Sequence, residues 1–218
     1  MNINITKIES SLSLSNRKWK FKKVDERNVI YLAQKYNLKY IVSKLLVIRG
    51  VTDETILTFL NPVINQDLPN PDDLKDINKA SERVIEAIKK KHKIGIIADY
   101  DVDGSTSASI LFKFLRNFTT SIILKIPNRL IDGYGPNIKL MQEMLDNKID
   151  LLFTLDCGTT SNEIIDNKKF KEIDVIVIDH HLSDESLPNV HAIINPNRHD
   201  DTSDCQQLAA VGVTFLFL

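Results

Sequence analysis

The sequence predicts an α/β protein in which a mostly parallel sheet is flanked by helices and preceded by a helical N-terminal segment. Three observations lead there. From Lys93 onward, short β-rich apolar runs alternate with amphipathic stretches long enough to serve as crossover helices. Those runs are close to continuously apolar, as in strands covered on both faces. Before Lys93, apolar residues recur at helical spacing instead.

In chain order, residues 26–49 and 53–60 carry that spacing, for example through Val29, Leu32, Ala33 and Tyr36, so the front is predicted helical. Residues 61–73 hold three of the seven prolines, Pro62, Pro69 and Pro71, and are predicted to be a surface linker. Helical spacing returns over 76–91 through Ala80, Val84, Ala87 and Ile88 and ends in a basic run that suits a helix C-terminus. Strands are predicted at 94–98, 122–126, 151–155, 175–178 and 192–194, with helices over 105–118, 137–147 and 160–171. The domain boundary is placed between 75 and 76, giving a helical segment with its linker at 1–75 and an α/β domain at 76–218.

Composition narrows the class. The 218 residues are 43% hydrophobic and 26% charged, enough for one ordinary core and not the composition of a disordered chain. The net charge is only −1, yet residues 1–50 contain eleven Lys/Arg against three Asp/Glu. A basic front and an acidic back suit a polyanion approaching a cation-loaded site. Two cysteines, Cys157 and Cys205, and a start with no basic flank and apolar run predict a reduced, cytoplasmic protein. No apolar run reaches the roughly 20 residues a membrane span needs. The final stretch, LAAVGVTFLFL, has helical apolar spacing but no Gly or Asn cap, no basic last turn and no polar tail, and it predicts a core helix cut short.

In doubly wound sheets ligands bind beyond the carboxyl ends of the strands, so the residues after each run are the candidates. They are Asp99-Tyr100-Asp101-Val102-Asp103-Gly104, Asp156-Cys157-Gly158, Asp179-His180-His181 and Asn195-Pro196-Asn197-Arg198. Carboxylates and imidazoles from three strand ends would repel on one rim unless divalent cations balanced them. A calcium loop fails, because Ile110 stands where a bidentate Glu is required and the segment follows a strand. Asp103 as a cap of the following helix is the bland reading of one of the three carboxylates. There is no CxxC pair or HExxH helix for zinc, and no GxxxxGK[ST] or GxGxxG loop for a nucleotide. Mixed carboxylate and imidazole donors favour Mn²⁺ or Mg²⁺. In the loop after the second strand, Arg129 could meet phosphate and Tyr134 could stack on a base.

These motifs in this order, with Gly133-Tyr134-Gly135 between the first two, resemble those of the DHH phosphoesterases, and among them the RecJ-type exonucleases. The lead-in LLVIRG at 45–50 and FLNP at 59–62 is similar too. The resemblance implies that Asp99, Asp101, Asp103, Asp156 and His180 are metal ligands, with Asp156 bridging two ions, and that His181 lies beside the scissile phosphate. Asp101, Asp103, Asp156, His180 and His181 would carry catalysis, and His181, Arg129, Tyr134 and Asn195 would face substrate. It further implies 5′-to-3′ hydrolysis of single-stranded DNA in repair and recombination. The family has a further metal-binding Asp, a second domain and an OB-fold that these residues lack. The expectation is therefore that this polypeptide alone is weakly active or inactive, as a fragment or as half of a split enzyme completed by a separately encoded C-terminal part. Another DHH phosphoesterase, an oligoribonuclease or a pyrophosphatase, is the remaining alternative.

Overall fold

The computed structural model describes residues 12–20 and 22–218. They divide into two compact units between Leu68 and Pro69. Among the described residues, no helix is long and apolar enough to cross a membrane.

The first unit is helical: α1 (Glu26–Lys35), α2 (Tyr40–Ile48), α3 (Ile56–Leu60) and α4 (Ile64–Asp67). Asp25 caps α1 by accepting from the Arg27 amide, and Glu26 and Lys35 sit at the ends their charges favour. Asn37, at φ 50°, separates α1 from α2, so the helical texture of 26–49 resolves into two helices. Leu32, Leu46, Val51 and Ile56 form a small core. A short helix, α4, and a 3₁₀ turn at Pro71–Asp73 occupy the predicted linker.

The second unit holds a five-stranded, wholly parallel sheet with order β2-β1-β3-β4-β5: β1 (Ile94–Ala98), β2 (Ile122–Lys125), β3 (Leu151–Leu155), β4 (Asp174–Ile178) and β5 (Ala192–Ile194). Its helices are α5 (Ile77–Lys90), α6 (Val102–Leu115), α7 (Ile138–Asp146), the short α8 (Asn162–Ile165) and α9 (Ala210–Phe217). Alternation along the strands feeds two cores. Ile94, Ile96, Leu151, Phe153, Ile176 and Ile178 pack with Ala80, Val84, Leu111, Leu115 and Val213 of α5, α6 and α9. Ile97, Leu152, Val175, Val177 and Ile193 pack on the other face with Leu140, Met141 and Met144 of α7 and with Phe170. Covering both faces explains why β1 and β3 are buried at every position and carry one polar side chain between them, Thr154.

The helix predicted over 160–171 does not form as one piece. Asn167 accepts from the Lys169 amide and starts a separate 3₁₀ turn at Lys168–Phe170, so α8 ends at Ile165. Phe170 still reaches the core, which is the apolar signal that the spacing carried.

Strand order reverses between β1 and β3, where the connections from the two strands lead to opposite sides of the sheet and leave a crevice. Gly104 shapes this point. A Cβ there would fall on the backbone of Asp99, so only glycine lets α6 begin directly against the end of β1. We predict that Gly104→Ala costs about 1–3 kcal/mol by overpacking, measured as a lower urea midpoint at unchanged slope.

Candidate metal centre

The ends of β1, β3 and β4 each donate one more backbone hydrogen bond beyond the regular ladder. The Asp99 amide donates to the Leu155 carbonyl (3.1 Å), Asp156 to Ile178 (2.9 Å) and Asp179 to Ile194 (3.1 Å). The sheet register therefore continues into the acidic residues and sets three carboxylates side by side on one rim.

Two sets of side chains meet there. Asp99, Asp101 and Asp156 each offer an oxygen within 4.8 Å of the others, and so do Asp156, His180 and His181 with their donor atoms. Asp156 belongs to both. It is buried and holds a left-handed backbone (φ 60°), a conformation that costs an ordinary residue about 1–2 kcal/mol but that Asp tolerates better than most. Its Oδ1 lies 3.4 Å from His180 Nε2 and 3.9 Å from His181 Nδ1. The next residue but one, Gly158 (φ +113°), leaves no room for a Cβ beside Thr154 Oγ1.

Asp156 Oδ1 and Asp99 Oδ1 are both buried, and neither has a hydrogen-bond partner in the protein. Burial pushes the Asp156 carboxyl up to about 8, and the neighbouring Asp103 and Asp101 carboxylates push in the same direction. Burial likewise raises Asp99. Two inward-facing acceptors with no donor, beside imidazoles and further carboxylates, are what a bound divalent cation would satisfy, so the residues present fit such an ion. The donor set is oxygen with one or two nitrogens, suited to Mn²⁺ or Mg²⁺.

Asp179 has a different task. It is 1% exposed and accepts from the amides of Thr159 (3.1 Å), His180 (2.8 Å) and His181 (3.2 Å), and it lies 2.8 Å from His181 Nδ1. Burial alone would raise its pKa, but the hydrogen bonds from His181 and Thr159 outweigh this and hold it below the usual carboxylate range. The same bond to Asp179 raises the His181 pKa. With Nδ1 turned to Asp179, only Nε2 of His181 remains for an ion or a phosphate.

The remaining expected residues fall as follows. Asp101 Oδ1 accepts from the Gly104 amide (3.0 Å), so it, and not Asp103, caps α6. Asp103 instead accepts from the Ala210 and Val211 amides (2.8 and 2.7 Å), capping α9, and its Oδ2 is 3.5 Å from His180 Nε2. It borders the centre but stands outside both groups. Arg129 is exposed with its guanidinium 5.5 Å from the Tyr100 ring centroid, beside Asp99 and Asp101. The Tyr134 hydroxyl donates to the Asp156 carbonyl (2.9 Å), and its ring meets His181 edge-on at 5.8 Å. Asn195, expected to face substrate, is placed fully buried, where it donates to Thr159 Oγ1 and the His181 carbonyl (2.9 Å each) while accepting from the Asn197 amide (2.8 Å). It braces the histidine segment from behind.

Sequence reasoning missed the lock beneath this segment. Asn197 donates to the His180 carbonyl (2.6 Å), and the next residue, Arg198, binds the Ile193 carbonyl (2.6 Å), Asp76 (2.7 Å) and Asp200 (2.6 Å). Nothing local marks Arg198, because Asp76 lies 122 positions away.

The chain belongs to the DHH family: the model of the DHH family, N-terminal domain, matches residues 93–218. Within that class it is similar to single-stranded-DNA-specific exonuclease RecJ. It is 33% identical to RecJ of Bacillus subtilis over 92% of this chain, and 37% identical to RecJ of Haemophilus influenzae over 68% of it. The chain spans 26% of the length of each of these relatives. A crystal structure of exonuclease RecJ bound to manganese matches with a TM-score of 0.60 and 30% identity, over 66% of this chain and 36% of that one.

Asp76 and Asp200 are both held below their ordinary pKa. For each, burial opposes the shift and the Arg198 hydrogen bond prevails. Their contribution to stability is thus complete above about pH 4, the unfolded value, and is lost as pH falls through the lowered folded values. We predict that Arg198→Met costs about 3 kcal/mol at pH 7, and that urea titrations show this difference from the unsubstituted protein shrinking below about pH 4. A pH-independent difference would mean that the ion pairs with Asp76 and Asp200 contribute nothing and that Arg198 acts through packing and its bond to Ile193.

Proposed function

We propose that this chain carries the metal-binding catalytic part of a RecJ-type, single-strand-specific 5′-to-3′ DNA exonuclease that hydrolyses phosphodiesters with two divalent cations. The observation that carries the reading is Asp156, a buried carboxylate with an unsatisfied oxygen, shared by two adjacent donor groups. Asp99, Asp101 and Asp156 would hold one ion, and Asp156 with His180 the other, Mn²⁺ or Mg²⁺ in each case, with Asp103 at the edge. Bound there, such ions would activate water as the nucleophile and neutralise charge on phosphate and leaving oxygen.

The protein's own groups supply position and charge. Asp179 fixes the His181 ring so that its free nitrogen faces outward, where it can donate to a phosphate oxygen. Arg129, lying over Tyr100 at the mouth of the site, can pair with a neighbouring phosphate. Tyr134 holds the Asp156 backbone, and its half-exposed ring is available to a base. The similarity to RecJ supports single-stranded DNA over pyrophosphate or short RNA as the substrate.

Calorimetric titration with Mn²⁺ tests the centre. Two ions per chain are expected for the unsubstituted protein, and Asp156→Asn should lose both from the measurable range, whereas equal binding by the two proteins would remove Asp156 from the shared position. A panel of 5′-labelled single-stranded DNA, duplex, short RNA and pyrophosphate then tests the substrate, since preferential hydrolysis of pyrophosphate or RNA would overturn the assignment. In the hydrolysis assay Asp179→Asn should lower turnover about 10–100-fold, as expected for a partner that orients the His181 ring without touching substrate.

A further inference from the structure

The first unit contains a charged and aromatic segment that the metal centre does not use. Residues 12–18 form a small hairpin, with an antiparallel bridge between Leu12 and Lys18 and a turn in which the Ser13 amide donates to the Arg17 carbonyl (2.9 Å) and the Asn16 amide donates to the Ser13 carbonyl (2.8 Å). Asn16 takes the left-handed conformation (φ 58°) that such a turn needs, and Arg17 also donates to Ser13 Oγ. The chain then runs out through Trp19, which is 64% exposed, with Arg17, Lys18, Lys20, Lys22 and Lys23 all exposed around it. Lys22 anchors the segment by donating to the Ile48 carbonyl at the end of α2 (2.9 Å).

The charges here are not balanced locally. No Asp or Glu occurs between Ser11 and Val24. Among the described residues, the acids of this unit nearest the segment are engaged elsewhere: Asp25 with Arg27, Glu26 with Lys44, Asp53 with Lys35, and Glu54 with Thr52. Among the described residues, no ion pair involves Arg17, Lys18, Lys20, Lys22 or Lys23. An exposed indole costs free energy in water, and five cations beside it, with no ion pair among the described residues, form a local positive field. A ligand that relieves both must present aromatic faces and anionic groups in alternation. A single-stranded nucleic acid does so, whereas in a duplex the base faces are already stacked.

We infer that Trp19 and the basic residues around it form a single-strand nucleic-acid contact in which Trp19 stacks on a base and the flanking Arg17, Lys18 and Lys20 meet phosphates. The choice of single-stranded DNA as the probe rests on the proposed function. The exposed indole and the unbalanced cations do not depend on it.

Trp19 is the chain's only tryptophan, so its fluorescence reports this site alone. The full chain is titrated with oligo(dT) in EDTA, which keeps the metal centre out of the measurement. The expected result is saturable quenching of the tryptophan emission. Anisotropy of labelled oligo(dT) should show Trp19→Ala binding about 5–150-fold more weakly, the equivalent of one base stack. Lys18→Gln and Lys20→Gln should each flatten the log–log salt dependence by about 0.7. No quenching, or undiminished affinity in Trp19→Ala, would overturn the proposal. So would equal quenching by heparin or by vesicles of anionic lipid, because neither offers a base to stack. Loss of Mn²⁺ binding or hydrolysis with the quenching intact would defeat the proposed function and leave this contact standing.

Discussion

The arrangement depends on the electrostatic cost of bringing carboxylates together in a buried place. Asp99 and Asp156 are almost wholly enclosed, each with an oxygen that no protein donor reaches, and Asp101 and Asp103 lie alongside. Left to itself such a cluster takes up protons, which is why burial and like charge drive Asp156 so far up. Positive charge from outside the chain relieves the same cost. The imidazoles of His180 and His181 stand on the open side of the cluster, so the unmet demand faces the position where a phosphate would arrive.

The scaffold keeps this unfavourable geometry from relaxing. Parallel pairing extends one residue past β1, β3 and β4 and fixes the spacing of Asp99, Asp156 and Asp179. Gly104 lets α6 start where a side chain would push it away, and Asp101 caps that start. Behind the histidines, Asp179, Asn195 and Asn197 hold backbone and ring atoms, and Arg198 ties their loop to Ile193 and to Asp76 at the head of α5. Two hydrophobic cores, one on each face of the sheet, supply the stability against which the clustered charge is held.

Much of this was legible in the sequence because the signals are local. Ile, Val and Leu runs bounded by polar residues marked strands, since a sheet covered on both faces leaves no charged position and only one polar one, Thr154, within β1 and β3. The acidic and histidine residues stood immediately after those runs, which placed Asp99, Asp101, Asp156 and His180 on one rim before any coordinates. What could not be read depended on distant partners or on competing local bonds. Asp103 caps a helix 107 positions later, and Arg198 reaches back 122 to Asp76. Asn195 was assigned to substrate because its chemistry allowed it, yet burial commits its amide to Thr159 and His181. The stretch 160–171 has a helix's apolar spacing, but Asn167 offers its side chain to the Lys169 amide and stops the helix.

The most direct measurement is anomalous diffraction at the manganese edge from crystals of this chain grown with Mn²⁺. The account predicts two peaks, both within coordination distance of the Asp156 carboxylate, one toward Asp99 and Asp101 and the other toward His180. A single peak, or peaks that leave Asp156 unligated, would contradict it.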